Sequence, residues 1–152
     1  MFVSVGGPTG PAGATGADGA KGDKGDKGDT GASGNYNYVN RGDPAAVDYD
    51  KTAFTWDSAW YEKDLSSIVP AGAVLVHLYV AHAHSANNNW MKFRKNGNTN
   101  IYNIVQFNTR VAGVTDFYDA WVACDVNRKI SYQGGISPTL FNVVVRGWIT
   151  TL

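Results

Sequence analysis

Cysteine is nearly absent from this chain: Cys124 is the only one in 152 residues, so no intrachain disulfide can staple the fold. Its setting, Trp121-Val122-Ala123-Cys124, reads as a small buried hydrophobe and not as a reactive thiol. Long apolar runs are missing too, and nothing approaches the roughly 18 residues that a membrane helix needs. Neither sign of charge predominates, with 13 basic and 13 acidic side chains, so no global field is available to hold nucleic acid or an anionic membrane. Gly-x-Ser-x-Gly, His-Glu-x-x-His and phosphate-loop motifs are all lacking, and the chain reads as a non-enzyme. Asp116 and Asp119 are a carboxylate pair without a motif around them. The six residues before Gly7 have neither the basic start nor the apolar stretch of a signal peptide, so the expectation is assembly in cytoplasm and release by lysis, with an extracellular site as the alternative.

What is present is glycine, in strict order. Gly7, Gly10, Gly13, Gly16, Gly19, Gly22, Gly25, Gly28, Gly31 and Gly34 make nine uninterrupted Gly-X-Y triplets. Three polyproline-II strands need glycine at every third position because any side chain on the common axis would push them apart. The repeat therefore predicts a collagen triple helix over residues 7–34 and a homotrimer, whereas a flexible spacer would show no period. At about 3.1 Å per residue the rod would be roughly 85 Å long. The Y positions carry no proline, so nothing depends on prolyl hydroxylation. In its place Lys21, Lys24 and Lys27 at Y each precede an X-position aspartate, Asp23, Asp26 and Asp29, which in a neighbouring strand makes a ladder of ion pairs. Such a rod nucleates poorly alone, since three strands must be registered before any contact is gained. A trimerising head must supply the register.

The organisation follows: an N-terminal attachment segment over 1–6, the rod over 7–34, a polar linker over 35–52 and an all-β head over 53–152. Strands are expected near 53–57, 59–66, 73–84, 90–95, 101–108, 114–124, 128–133 and 139–150, with a hairpin turn at Asn96-Gly97. Eight short strands with regular turns predict a jelly-roll-like antiparallel β-sandwich. Along one strand Val74, Val76, Leu78 and Val80 form the core face, leaving Leu75, His77 and Tyr79 on the other. That second face is too apolar for water, which, with five tryptophans, is what a trimer interface predicts.

The stretches Ile68-Val69-Pro70-Ala71-Gly72-Ala73-Val74-Leu75-Val76-His77-Leu78, Phe93-Arg94-Lys95-Asn96-Gly97-Asn98, Val122-Ala123-Cys124-Asp125 and Val143-Val144-Val145-Arg146-Gly147-Trp148 resemble C-terminal domains of phage and prophage fibre proteins. The resemblance covers roughly residues 65–150. It implies a trimeric β-sandwich at the distal end of a virion appendage, contacting the host surface, with virion proteins held through the N-terminus. The rod-plus-sandwich plan is also similar to the complement-type and tumour-necrosis-factor-type trimers of animals, from which the proline-free Y positions set it apart. Two other roles fit the plan: a non-binding clamp for the stalk, or a secreted bacterial collagen-like adhesin.

Several residues are candidates for binding. Asn87-Asn88-Asn89-Trp90, Asn98 with Tyr102, and Tyr118 combine amides with aromatic rings, the chemistry that reads a surface glycan or capsule; the same residues also make ordinary turns. His82 and His84 stand two apart near a strand end. They read as solvent histidines, or, in a threefold trimer, as six imidazoles around one axial transition metal such as iron, a pattern similar to the His-x-His sites of some phage fibre tips. Lys92, Arg94 and Lys95 make a small basic patch, which reads as a solvated strand face or as a contact for an acidic capsule or lipopolysaccharide; Arg41-Gly42-Asp43 matches an adhesion tripeptide inside a turn-prone linker, and the alternating apolar residues of 1–5 suit strand addition to a larger particle. If the lysine and aspartate ladder stiffens the rod, its melting midpoint, followed by the polyproline-type circular dichroism, falls between low and high salt; an unchanged midpoint contradicts that account.

Overall fold

The computed structural model describes residues 10, 11, 13–16 and 35–151. The chain divides into two compact units, Met1–Ala32 and Ser33–Leu152. In the first, Gly10, Pro11 and residues 13–16 are exposed and outside regular secondary structure. The remaining glycines of the repeat, the 1–6 segment and the Lys21 to Asp29 ladder lie outside the described residues.

The second unit is an antiparallel β-sandwich. Its strands are β1 (Tyr36–Asn40), β2 (Tyr49–Asp50), β3 (Tyr61–Asp64), β4 (Ala73–Ala83), β5 (Trp90–Lys95), β6 (Val105–Asn108), β7 (Asp116–Ala123), β8 (Lys129–Gly134) and β9 (Leu140–Thr151). Sheet A runs β1-β9-β4-β7, with β2 also paired to β9, and sheet B runs β3-β8-β5-β6. Most connections cross from one sheet to the other. The core lies between the sheets, built from Val76, Leu78, Val80, Val122, Val143, Val145 and Phe141 of sheet A and Met91, Phe93, Phe107, Ile130 and Tyr132 of sheet B. Burying each of the larger of these contributes about 1.5–3 kcal/mol. Cys124 is buried among them, its Sγ 3.3 Å from the Ala73 carbonyl, and burial pushes its thiol pKa up.

Strand β4 is central and apolar on both sides. Val76, Leu78 and Val80 face the core, while Leu75, His77 and Tyr79 face outward and are half-buried. Val74, expected in the core, is exposed: the β4–β9 register shifts between Ala73 and Leu75, and this bulge turns Ala73 inward in its place. Opposite the outward residues stand Ala123, Trp121 and Asp119 of β7 and Ile149, Gly147 and Val144 of β9, with Phe117 opposite Ala81 and stacked on Tyr79 at 5.9 Å.

Four other expectations are corrected. Residues 36–40 and 49–50 are not linker but strands on β9, a pairing the polar Asn37 and Asn40 and the flanking turns concealed. The stretch 53–57 is not a strand, because Asp50 Oδ1 accepts the Thr52 amide at 2.8 Å and turns Lys51–Ala53 into a 3-10 helix. Phe54 then enters the core, edge-on to Tyr132 and Phe141 at 5.0 Å. Residues 101–103 likewise form a 3-10 turn, so only 105–108 of the expected 101–108 strand pairs with β5, and the Asn96-Gly97 turn opens a loop running to Ile104 in place of a tight hairpin.

Glycine allows two close approaches. A Cβ at Gly147 would fall 2.6 Å from the Tyr38 hydroxyl and against the Val39 carbonyl; one at Gly134 would fall 2.7 Å from the Trp56 ring. Gly147→Ala should therefore destabilise the head by about 1–3 kcal/mol by prising β1 from β9. Urea unfolding checks this, and a loss under about 0.5 kcal/mol contradicts the seating of Tyr38 on Gly147.

Candidate functional site

The register separates two ends of the sandwich. At one end the chain enters at Tyr36, opposite Thr151; at the other, Ala83 lies opposite Leu140. The eleven residues of β4 place these ends about 33 Å apart. The loops after β4 (84–89), β6 (109–115) and β8 (135–139) gather at the end away from Tyr36, linked by Asn88 N to Thr109 O at 2.7 Å, Gly113 N to His84 O at 2.8 Å and Gly135 N to Trp90 O at 3.2 Å.

A buried polar knot holds these loops in place. His82, fully buried, shares a hydrogen bond of 2.9 Å with Asn89 Oδ1; since that oxygen can only accept, Nε2 carries the proton. Asn89 Nδ2 donates to the Ile136 carbonyl at 3.0 Å, its amide donates to Thr109 Oγ1 at 3.0 Å, and the Thr109 hydroxyl donates to the Ala86 carbonyl at 3.0 Å. One amide side chain thus joins β4 to two loops. Beside it Asp116 accepts the Arg110 amide at 2.9 Å and its guanidinium at 2.7 Å, bonds that hold its carboxyl below the usual range and fix the third loop.

On this knot stands an open depression of about 190 Å³, lined by Ser58, His84, Asn87, Asn88, Trp90 and Ile136 among others. Asn87 and Asn88 are exposed, Asn88 at a left-handed φ of 59° that Asn tolerates. Trp90 lies against Gly135, where a Cβ would come within 3.1 Å of the indole. Exposed amides, an imidazole, a hydroxyl and one aromatic face are groups that bind sugars.

The structure thus divides the residues singled out in the sequence. Asn87, Asn88 and Trp90 come together. Asn89 does not face out but is turned inward as the keystone of the knot. Asn98 and the exposed Tyr102 lie at the opposite end, in a groove with Leu75, Arg94 and Trp121. Tyr118 packs on Phe107 at 4.7 Å and donates to the Asn108 carbonyl at 2.5 Å, at the core edge. His82 is not a solvent histidine, nor do the two imidazoles share an open face: His82 points into the core, edge-on to Phe141 at 5.5 Å, and His84 Nδ1 accepts the Ala86 amide at 2.9 Å. No cluster of three or more metal-ligating side chains occurs among the described residues. Asp116 and Asp119 point to opposite faces of β7. Arg41 is held by Asp48 and by the Val145 carbonyl at 3.2 Å, so the adhesion-like tripeptide is tied to sheet A.

Sequence reasoning missed the partners on the outer face of sheet A. His77 stacks on Trp121 at 4.3 Å with its rings nearly parallel, meets the Tyr38 hydroxyl at 3.2 Å and Asp119 at 3.1 Å, and Arg146 joins the same carboxylate at 2.6 Å while covering Tyr79. It also missed Trp60 and Gln133 beside Arg94 and Lys92. The Gly134-Gly135 doublet at the end of a strand-like stretch was the available signal for close packing of rings. Comparison with protein families and with curated protein sequences gives no match.

Burial lowers the pKa of His82 from its ordinary 6.5, and its bond to Asn89 only partly opposes that. The folded imidazole is therefore neutral while the unfolded one takes a proton below about 6.5, so stability is full above that pH and is lost as pH falls. Thermal melts should show a falling midpoint from pH 7 to pH 5, and His82→Gln, which keeps a donor for Asn89 but does not titrate, should flatten the decline. An equal decline in the variant contradicts this role.

Proposed function

We propose that this chain is one third of a homotrimeric virion fibre, in which a collagen rod over residues 7–34 carries a head that binds a host-surface glycan. The observation that carries the reading is the uninterrupted glycine period joined to a sandwich whose sheet A bears an aromatic, apolar outer face. Phe117 is 61% exposed, Trp121 43% and Tyr38 42%, and with Leu75, Tyr79, Val144 and Ile149 they form one continuous surface. A patch of this kind marks an interface. Two further copies of the same face around a threefold axis are the occupant that the glycine spacing demands, and trimerisation there would register the three rod strands. The embedded His77, Asp119 and Arg146 give such an interface directional polar contacts.

Glycan binding rests on the depression at the end away from Tyr36. Its loops are fixed by the buried knot, which lowers the ordering cost of recognition. Three such sites on one fibre would raise avidity while each remained weak. The clamp reading draws on the same sheet A face, but it leaves the knot and the flat-lying Trp90 without a role.

Saturable binding of the full chain to intact cells or immobilised surface glycans is the test. Replacing Asn87 by Ala with Asn88 by Gly, which respects the left-handed backbone, should weaken binding by about tenfold. Tyr102→Ala, at the other end, should leave it unchanged. The reverse pattern, or no saturable binding across glycans and cells, favours the clamp.

A further inference from the structure

Sheet B also presents an outer face, and its chemistry differs from that of sheet A. Alternation along β5 turns Met91 and Phe93 into the core and sends Trp90, Lys92 and Arg94 outward. Across the sheet Lys92 stands between Gln106 of β6 and Gln133 of β8, and Arg94 stands beside Ser131. Two indoles complete the face. Trp60, just before β3, lies under the Arg94 guanidinium, whose Cζ is 3.6 Å from the ring centroid; Lys92 Nζ sits 4.4 Å from the Trp90 ring centroid.

Lys129 is paired with Glu62, Arg41 with Asp48, Arg110 with Asp116 and Arg146 with Asp119, whereas among the described residues no carboxylate pairs with Lys92 or Arg94, nor with Lys51, Lys63, Lys95 or Arg128; what sets Lys92 and Arg94 apart is that each lies over an indole on the outer face of sheet B. Glu62, the acid nearest on this face, is taken by Lys129 at 2.7 Å and by Asn96 at 3.0 Å. The Arg94 side chain is already held, by stacking and by Nη1 donating to the Thr99 carbonyl at 3.1 Å. A fixed guanidinium loses little entropy when it meets an anion.

We infer that the outer face of sheet B, built from Trp60, Trp90, Lys92, Arg94 and Gln133, is a platform for a carboxylate-bearing saccharide. This rests on the reading that the head binds a glycan and extends it from the loop depression, through the shared Trp90, onto the sheet. The indoles offer planes for the apolar side of a sugar ring, the glutamines offer partners for hydroxyls, and the two cations offer the complement to a uronate or sialate carboxylate. Two cations beside two aromatic planes suit a saccharide better than nucleic acid, which needs a longer basic stripe than a chain of zero net charge supplies here.

The experiment uses the full chain, immobilised, against hyaluronan, colominic acid and oligogalacturonate, each paired with its methyl-esterified twin, and against dextran sulfate. At least one acid should bind, with its ester about tenfold weaker and with affinity falling as salt rises. Lys92→Gln with Arg94→Gln, surface changes that leave the core untouched, should abolish the difference between acid and ester. Trp60→Ala, with its melting curve as the folding control, should weaken both forms. The inference is overturned if no acid binds, if esters bind equally, if dextran sulfate binds as well as the acids, or if Trp60→Ala leaves oligosaccharide binding unchanged. Neutral-glycan binding that depends on Asn87 but not on these residues would overturn the inference while sparing the attachment reading; no glycan binding of any kind would defeat both.

Discussion

A sheet that is apolar on both faces must be covered on both, and β4 imposes this constraint on the molecule. Inside, Val76, Leu78 and Val80 are covered by sheet B. Outside, Leu75, His77 and Tyr79 are covered only in part, by Tyr38, Trp121 and Arg146, and the surrounding rings stay open to solvent. In the proposed trimer, a glycine period that three strands alone can use would supply the number of copies, and the outer face of sheet A their contact. In that proposal neither part suffices: the rod cannot register itself, and the head has no other reason to carry Trp121 and Phe117 outward.

The same architecture separates tasks by surface. Sheet A is aromatic and apolar, sheet B mixes indoles with unpaired cations, and the loops away from Tyr36 carry amides on a rigid base. The base is the His82, Asn89 and Thr109 knot, an arrangement in which His82 Nδ1 is the one buried polar side-chain atom that finds no partner among the described residues. Placing an ionisable ring there, with its pKa lowered chiefly by burial, predicts a loop base that is sensitive to acid.

Much of the sandwich was legible in the sequence. Strands β4, β5, β7, β8 and β9 stand where runs of Val, Ile and aromatic residues alternate, since side chains on a pleated strand report burial at a period of two. What stayed hidden depends on distant partners. Strand β1 owes its place to Gly147 and Thr151, more than a hundred residues away, and Val74 was displaced by a bulge that lies in pairing and not in composition. Phe54 and Trp56 looked like strand residues because aromatics plugging the edge of a core carry the same signal as aromatics in a ladder. Of the candidates picked by turn chemistry, Asn87, Asn88 and Trp90 line one depression, while Asn89 and Tyr118 carry the same residue types to structural ends. Sequence type cannot tell an amide that faces a ligand from one that satisfies a buried histidine.

The direct test of the central claim is mass in solution. Sedimentation equilibrium of the full chain at micromolar concentration should give three times the 16.3 kDa chain mass, with the polyproline-type dichroism of a rod. A stable monomer or dimer would contradict both the use of the glycine period and the assignment of the outer face of sheet A.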